Sequence, residues 1–488
     1  MSSGTSIALS LISHTNAGKT TLARTLLDRD VGDVRDAAHV TLEATPYPMV
    51  DAPSGDTLVL WDTPGFGDSA RLAKRLAQQG NPIGWFLSEV WDRFRDRAFY
   101  LSQQAVRNVR EQADVVLYLV NATEAPQDAG YLDPEMRVLA WIGKPVVVLL
   151  NQTGPPRPAE AEHSDEARWR AALGDRAGVR AVVTLDAFAR CWVQEIALLD
   201  VVGDALDEDK RGAFAGLAQA WQARRFAQFE GAMAALAAPI AAAACDREVL
   251  PDPGVRGALR DLGRSIGWQR DDGDDAKRNA STALASRLDA GLRESTDRMI
   301  ALHKLGGRAT EDVLARLAAG TTTEAPVNEG KAAVMGGLVS GALPGLAADL
   351  AAGGLTFGAG VLAGALMGAL GGAGIARGMN AVRAQAGIVV RWNDDVLTGL
   401  VRSGLLRYLA VAHYGRGRGD WVETEYPPFW PPLVAEIVAA YDDVLREVWA
   451  AREPGCDRDA LEARLRELVT TAARDVLERL YPGTLARP

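Results

Sequence analysis

The sequence predicts an α/β domain, with a mostly parallel six-stranded sheet and helices on both faces, followed by a mainly α-helical domain that carries a Gly/Ala-rich helical hairpin. Three observations predict it. Over residues 1–203, apolar runs that end in polar residues alternate with helical stretches, the pattern of a parallel sheet buried on both faces. Beyond that the strand pattern fades into Ala-, Leu-, Arg- and Glu-rich helical periodicity. Residues 332–376 form an apolar stretch rich in Gly and Ala.

At 488 residues the chain exceeds what one core organises. The expected division is an α/β domain over 1–203, a helical domain over 204–330, the hydrophobic hairpin over 331–378, and a helical region over 379–488 that packs back on the helical domain. An apolar fraction of 48% and a charged fraction of 24% are those of a globular protein. The formal net charge of -10 argues against broad nucleic-acid binding, which needs a basic face. Cys191, Cys245 and Cys456 fit no metal or disulfide spacing, so a reducing, cytoplasmic setting is expected.

The first strand is expected over Ile7–Ile12; no basic residue precedes it and a bend follows at once, which distinguishes it from a signal peptide. Residues 13–20 then read S-H-T-N-A-G-K-T, one residue away from the phosphate-loop pattern G-x-x-x-x-G-K-[ST] between a strand and a helix. Main-chain N–H groups of such a loop, with the helix N-terminus, form a nest for phosphate oxygens. Gly18 permits the close backbone approach, Lys19 is placed to reach the β- and γ-phosphates, and Thr20 offers a hydroxyl to Mg2+. The α/β domain is therefore expected to have a P-loop nucleotide-binding fold; the motif alone does not distinguish kinases, ATPases and GTPases. "DTLVLWDTPGFGD" (56–68), "ADVVLYLVNAT" (from Ala113), "KPVVVLLNQTG" (from Lys144) and "RAVVTLDAF" (from Arg180) supply further strands, whose polar ends fall where such sheets bind ligands.

SHTNAGKT, then DTPG, then NQTG, in this order and spacing, resembles the Era-like branch of the P-loop GTPases over about residues 5–200. It is most similar to a bacterial group in which this domain precedes a long helical region. The resemblance implies GTP or GDP bound with Mg2+ and hydrolysis of GTP. Asn16, Ala17, Gly18, Lys19, Thr20 and Thr21 would surround the phosphates, Asp62 would hold Mg2+ through water, and the Gly65 N–H would sense the γ-phosphate. Thr41, in "DAAHVTLEA", is the candidate for the threonine that closes over Mg2+.

The sequence departs from that family at two motif positions. The base-reading motif is Asn151-Gln152-Thr153-Gly154, so the family's guanine-reading aspartate is a glycine; Asn151 is retained, the Gln152 stem can pack on the base, and Asp186 in "TLDAF" is a substitute carboxylate. The residue after DTPG is Phe66, where many relatives carry a water-orienting glutamine. Some Era-like relatives use a monovalent cation near a phosphate-loop asparagine instead, which for Asn16 implies K+-stimulated hydrolysis, faster when two nucleotide domains meet; Asn16 as a plain turn residue is the competing reading.

The stretch between Gly65 and Ala113 reads as two helices split at Gly80-Asn81-Pro82, with Trp85, Phe86, Trp91, Phe94, Phe99 and Tyr100 in the second, either a partner surface or core. No metal-ligand cluster, serine nucleophile or dinucleotide fingerprint appears after residue 200, and His303 and His413 are isolated. Between Lys331 and Arg377 the only charge is Asp349; the part after it is long enough to span a bilayer, and glycines recur at four-residue spacing from Gly337 to Gly345 and from Gly360 to Gly372. Residues 332–376 are read as a membrane-associated hairpin, by analogy with membrane-acting GTPases of the dynamin type, against a hairpin buried in a soluble domain. The proline-rich "VETEYPPFWPPLV" is expected to dock on the body, and the last helix carries an apolar stripe at 461, 465, 468, 472, 476 and 480. Two functions compete. One is a GTP-hydrolysing switch acting on a helical effector domain near the inner face of the cell membrane; the other is an ATPase or a nucleotide-binding scaffold with negligible turnover.

Overall fold

The computed structural model describes residues 4–14, 17–31, 44–66, 68–77, 96–154, 156–174, 176, 178–250, 272–305, 379–384, 387–415, 426–452 and 455–485. Asn16, Thr41, the aromatics from Trp85 to Phe94 and the 332–376 hairpin lie outside them. The chain forms two units: Met1–Gln228 with Ala412–Gly419 and Leu477–Pro488, and Phe229–Val411 with Asp420–Val476.

In the first unit, strands β1 (Ser6–Ser13), β2 (Thr45–Asp51), β3 (Thr57–Asp62), β4 (Val115–Asn121), β5 (Val146–Asn151) and β6 (Val179–Thr184) form one sheet in the order β2-β3-β1-β4-β5-β6. Every pairing is parallel except β2 with β3. β2, "TPYPMVD", escapes sequence reading because Pro46 and Pro48 argue against a strand; it is tolerated at the sheet edge, where the register shifts between Pro48 and Val50.

Side chains alternate between the sheet's two faces. Ile7, Leu9 and Leu11 pack with α1 (Lys19–Leu27), α6 (Trp192–Ala205) and the start of α7 (Glu208–Cys245), through Leu22, Leu26, Leu198, Val202 and Trp221. Ile12, Val116, Tyr118 and Val148 pack on the other face with α2 (Ser69–Ala77), α3 (Arg97–Gln112), α4 (Leu132–Ile142) and α5 (Ala159–Leu173), through Leu72, Val106, Met136 and Trp169. Of the aromatic run, Phe99 is core. The parallel pairing lines up Leu11 with Asp62 and Asn121 with Asn151, so the polar strand ends share one edge.

The second unit is helical, with one addition. It contains the end of α7, α8 (Asp272–Leu302), α9 (Asp394–Ala412), α10 (Trp430–Ala439), α11 (Asp442–Ala450) and most of α12 (Arg458–Leu480). Strands β7 (Arg247–Leu250), β8 (Met379–Ala384) and β9 (Gly387–Trp392) form an antiparallel sheet in the order β7-β9-β8, where only helices were expected. β7 is four residues long and its partner lies some 140 residues away, too short and too distant for a periodicity signal.

The helices pack closely: a Cβ on Gly404 would lie 2.9 Å from Leu236, and one on Gly291 3.2 Å from Pro239. Pro431 and Pro432, expected in a connector, instead open α10, since the first helical turn needs no N–H donors there. The stripe of α12 is buried at all six predicted positions, and His303 and His413 are core residues. Cys245 and Cys456 form a disulfide, with Cα atoms 5.4 Å apart across 211 residues of sequence. That overturns the expectation of unpaired thiols, because sequence spacing does not report distance in the fold; Cys191 is free and buried. Among the described residues, Glu208–Cys245 is one helix long and apolar enough to cross a bilayer, but more than half of its apolar window is buried inside the protein.

Candidate functional site

The site forms where β1 and β3 end side by side. The Thr63 hydroxyl donates to the Leu11 carbonyl at 2.5 Å, and the Phe66 N–H donates to the Ser13 carbonyl at 3.0 Å, which fastens the D-T-P-G turn to the start of the phosphate loop. The turn comes so close that a Cβ on Gly65 would sit 2.9 Å from Lys19 Nζ and 3.2 Å from the Ser13 carbonyl oxygen. Gly18 has φ +88°, the left-handed region, and a Cβ there would meet Asn151 Nδ2 at 2.7 Å. Gly18 is therefore demanded by its backbone conformation, and at Gly65 a larger residue would press on the Ser13 main chain and displace the Lys19 ammonium.

Lys19, the first residue of α1, is buried; its ammonium donates to Ser13 Oγ at 2.9 Å. Burial lowers its pKa, while the charges of Asp62 and Glu135 pull it back up. Beside it, Thr20 Oγ1 donates to Asp62 Oδ2 at 2.6 Å. Asp62 Oδ1 is buried with no hydrogen-bond partner, and burial raises that carboxyl's pKa against the opposing pull of Thr20 and Lys19. A buried ammonium and an orphaned carboxylate oxygen beside a hydroxyl form an unfinished charge arrangement. A phosphate answers the first, and a hard cation with oxygen ligands answers the second, so Thr20 and Asp62 fit Mg2+.

His14 was not singled out by sequence reasoning. Its Nδ1 lies 2.8 Å from Glu135 Oε1, its ring stacks on Tyr131 at 4.4 Å, and the Tyr118 hydroxyl donates to Glu135 Oε2 at 2.7 Å. Burial raises the Glu135 pKa, opposed by hydrogen bonds from His14 and Tyr118. No sequence signal links residues 14, 118 and 135, which meet only because β1 and β4 are neighbours.

At the other end of the site, Asn151 is fully buried and bridges two loops: Nδ2 donates to the Ala17 carbonyl at 2.7 Å and Oδ1 accepts from the Ala187 N–H at 2.8 Å. Asp186 is 1% exposed. Its Oδ2 accepts from the Thr153 N–H at 2.6 Å and the Thr153 hydroxyl at 2.9 Å, and its Oδ1 from the Phe188 N–H at 2.7 Å. Gln152 and Gly154 both have positive φ, 60° and 85°. Phe66, in the position of the missing glutamine, is fully buried in the core and cannot touch a water. The fold thus brings Ala17, Gly18, Lys19, Thr20, Thr21, Asp62, Gly65, Asn151, Gln152 and Asp186 to one edge of the sheet.

Two family profiles match this sequence. One, described as 50S ribosome-binding GTPase, covers residues 9–152; the other, described as Domain of unknown function (DUF3482), covers residues 170–432. No curated protein matches. Among solved structures, Era from Aquifex aeolicus bound to GDP·AlF4− is similar at 19% identity and a TM-score of 0.31, over 42% of this chain and 58% of that one. Era in complex with MgGDPNP and a 16S ribosomal RNA segment is similar at 18% identity and a TM-score of 0.31, over the same shares. A probable GTP-binding protein, EngB, is similar at 12% identity and a TM-score of 0.25, over 41% of this chain and 97% of that one. The chain therefore spans little more than half the length of the Era chains it matches.

Proposed function

The chain belongs to the family of Domain of unknown function (DUF3482), whose profile covers more than half of it behind an Era-like P-loop GTPase domain, and on that premise we propose that it binds GTP with Mg2+, hydrolyses it to GDP and phosphate, and acts as a nucleotide-dependent switch on its helical region. The observation that carries this reading is the pairing of a buried Lys19 ammonium with an orphaned Asp62 carboxylate oxygen across the mouth of the phosphate loop.

In this reading Lys19 binds the β- and γ-phosphates, and the main chain of Ala17–Thr21 with the α1 N-terminus cradles the rest. Mg2+, when bound, neutralises phosphate charge; Thr20 and Asp62, with Thr41, are the residues that would hold it. The Gly65 N–H reports the γ-phosphate to the segment that follows. Because Phe66 is core, charge stabilisation falls to the phosphate loop, with Asn16 recruiting K+ and a second nucleotide domain closing the site in a homodimer. Asn151 and Gln152 form the base end.

Residues 332–376 are read as the part that meets lipid. Liposome flotation with and without 332–376 tests that assignment; salt-resistant binding lost on deletion is the expected result.

The test of turnover is steady-state phosphate release from GTP by the wild type and Lys19→Ala, in K+ and in Na+. Lys19-dependent release, faster in K+, is expected; release unchanged by Lys19→Ala removes the reading. An ATPase remains the alternative because Gly154 offers no carboxylate to guanine, and calorimetry with GTP and ATP separates the two.

A further inference from the structure

Guanine presents two adjacent donors, N1–H and the 2-amino group, and a site that reads it needs a carboxylate facing both. Gly154 has none. Asp186 is an unsuitable substitute, because it is buried and its carboxylate is turned to Thr153 and Phe188, from which it accepts three hydrogen bonds. Those bonds hold the 151–154 loop in shape.

Another carboxylate lies at the same edge. On α5, Glu166 Oε1 accepts from the Thr184 N–H at 2.7 Å, at the carboxyl end of β6. Glu162 precedes it by four residues and so lies on the same face, about 6 Å further toward the helix N-terminus and the ligand edge. It is half-buried, and the groups that act on its carboxylate include the Arg157 main-chain N–H, in the loop after Asn151, and Asp186. Arg157 is itself held by Asp165 at 2.6 Å.

We propose that Glu162 is the residue that reads the guanine edge, in place of the aspartate missing at position 154; the inference rests on the nucleotide-binding reading above. The charged groups that face it are Glu166, Arg157 and Asp186. Burial and then Glu166 push its carboxyl up to about 7, with Arg157 opposing. Two N–H donors from guanine favour the ionised form, so affinity for GDP rises with pH through about 7 and binding releases a proton below that value.

The experiment measures binding of GDP, IDP, which lacks the 2-amino group, and ADP to the full chain at pH 6 and pH 8, for the wild type, Glu162→Gln, Glu162→Asp and Lys19→Ala. The wild type is expected to prefer GDP over IDP by roughly 10-fold or more, and Glu162→Gln to lose about that factor for GDP while ADP is unaffected. Glu162→Asp recovers part of the preference, and the pH dependence of the GDP-to-ADP affinity ratio, in which the titration of the shared terminal phosphate cancels, vanishes in Glu162→Gln. Undiminished GDP-over-IDP preference in Glu162→Gln, at an unchanged melting temperature, overturns the inference alone. Lys19-dependent binding of GDP and ADP with equal affinity by the wild type also overturns it while leaving the phosphate site standing. Binding that Lys19→Ala does not weaken overturns the nucleotide reading, and this inference with it.

Discussion

The Lys19 ammonium donates to Ser13 Oγ at 2.9 Å, so the residue that departs from the glycine of the phosphate-loop pattern supplies an oxygen to the loop's lysine. A buried ammonium needs acceptors, and in the free protein a hydroxyl serves where phosphate oxygens would otherwise lie. Ser13→Ala is expected to destabilise the free protein by about 1–3 kcal/mol, the cost of leaving a buried charged donor short of a partner. The loss should shrink in saturating GDP and Mg2+. Urea unfolding with and without nucleotide measures both, and equal losses in the two states would show that Ser13 does not substitute for phosphate.

Asp62 presents the complementary case. Its carboxyl pKa is raised by burial, so its contribution to stability is present below the unfolded carboxylate value near 3.8 and is lost as pH rises through the folded value. At neutral pH the ionised group therefore works against the free fold. Asp62→Asn is expected to match or exceed the wild type in unliganded stability at pH 7, with the difference narrowing toward pH 4. The same substitution should weaken the Mg2+ dependence of GTP binding by about 10–100-fold. A variant that is both less stable and equally responsive to Mg2+ contradicts the assignment.

A buried ionic cluster ties the far end of α1 to the helices beneath it. Asp28 accepts from Arg190 at 2.7 Å and from Arg225 at 2.6 Å, and Glu195 accepts from Arg190 at 2.7 Å and from Arg225 at 2.8 Å. Burial pushes the Asp28 carboxyl up, but the two arginines outweigh it and hold the group at about 2. The sign is opposite to that of Asp62: this stability is present above about pH 4 and is lost as pH falls toward 2, on the order of 2 kcal/mol. Removing one partner costs more, since the remaining charges stay buried; Arg225→Ala is expected to lose about 3–5 kcal/mol. Denaturant unfolding of wild type, Arg225→Ala and Asp28→Asn between pH 3 and pH 7 checks both, and an acid transition in Asp28→Asn identical to the wild type refutes the assignment to Asp28.

Much of this arrangement is legible in the sequence because it is local. The strand, loop and helix of residues 6–27 and the turn after Asp62 announce themselves through apolar runs that stop at small and polar residues. What could not be read comes from long-range pairing. β2 is disguised by its prolines, and β7 meets β9 only after the chain returns. His14 and Glu135 are 121 residues apart, and Asp28 and Arg225 are 197 apart. Asp186 was legible as a carboxylate at the right loop but not as one buried against Thr153, because the partners a side chain turns to are a property of the folded loop.

The disulfide is the feature that sequence spacing most misrepresents, and it carries a test of its own. Cys245 ends α7 and Cys456 precedes α12, so the bridge closes a 211-residue separation within the second unit. Closing so long a loop restricts the unfolded chain, and the stabilisation expected is about 2–5 kcal/mol. Reductant should lower the unfolding midpoint of the wild type, whereas Cys245→Ser should start at the lower value and not respond further. Nucleotide affinity should stay constant throughout, because Lys19, Asp62 and Asn151 all lie in the first unit. Unfolding followed by tryptophan fluorescence, alongside GDP binding in the same buffers, measures the two quantities separately. A reductant effect of equal size in Cys245→Ser would mean that the stabilisation comes from somewhere other than this bridge.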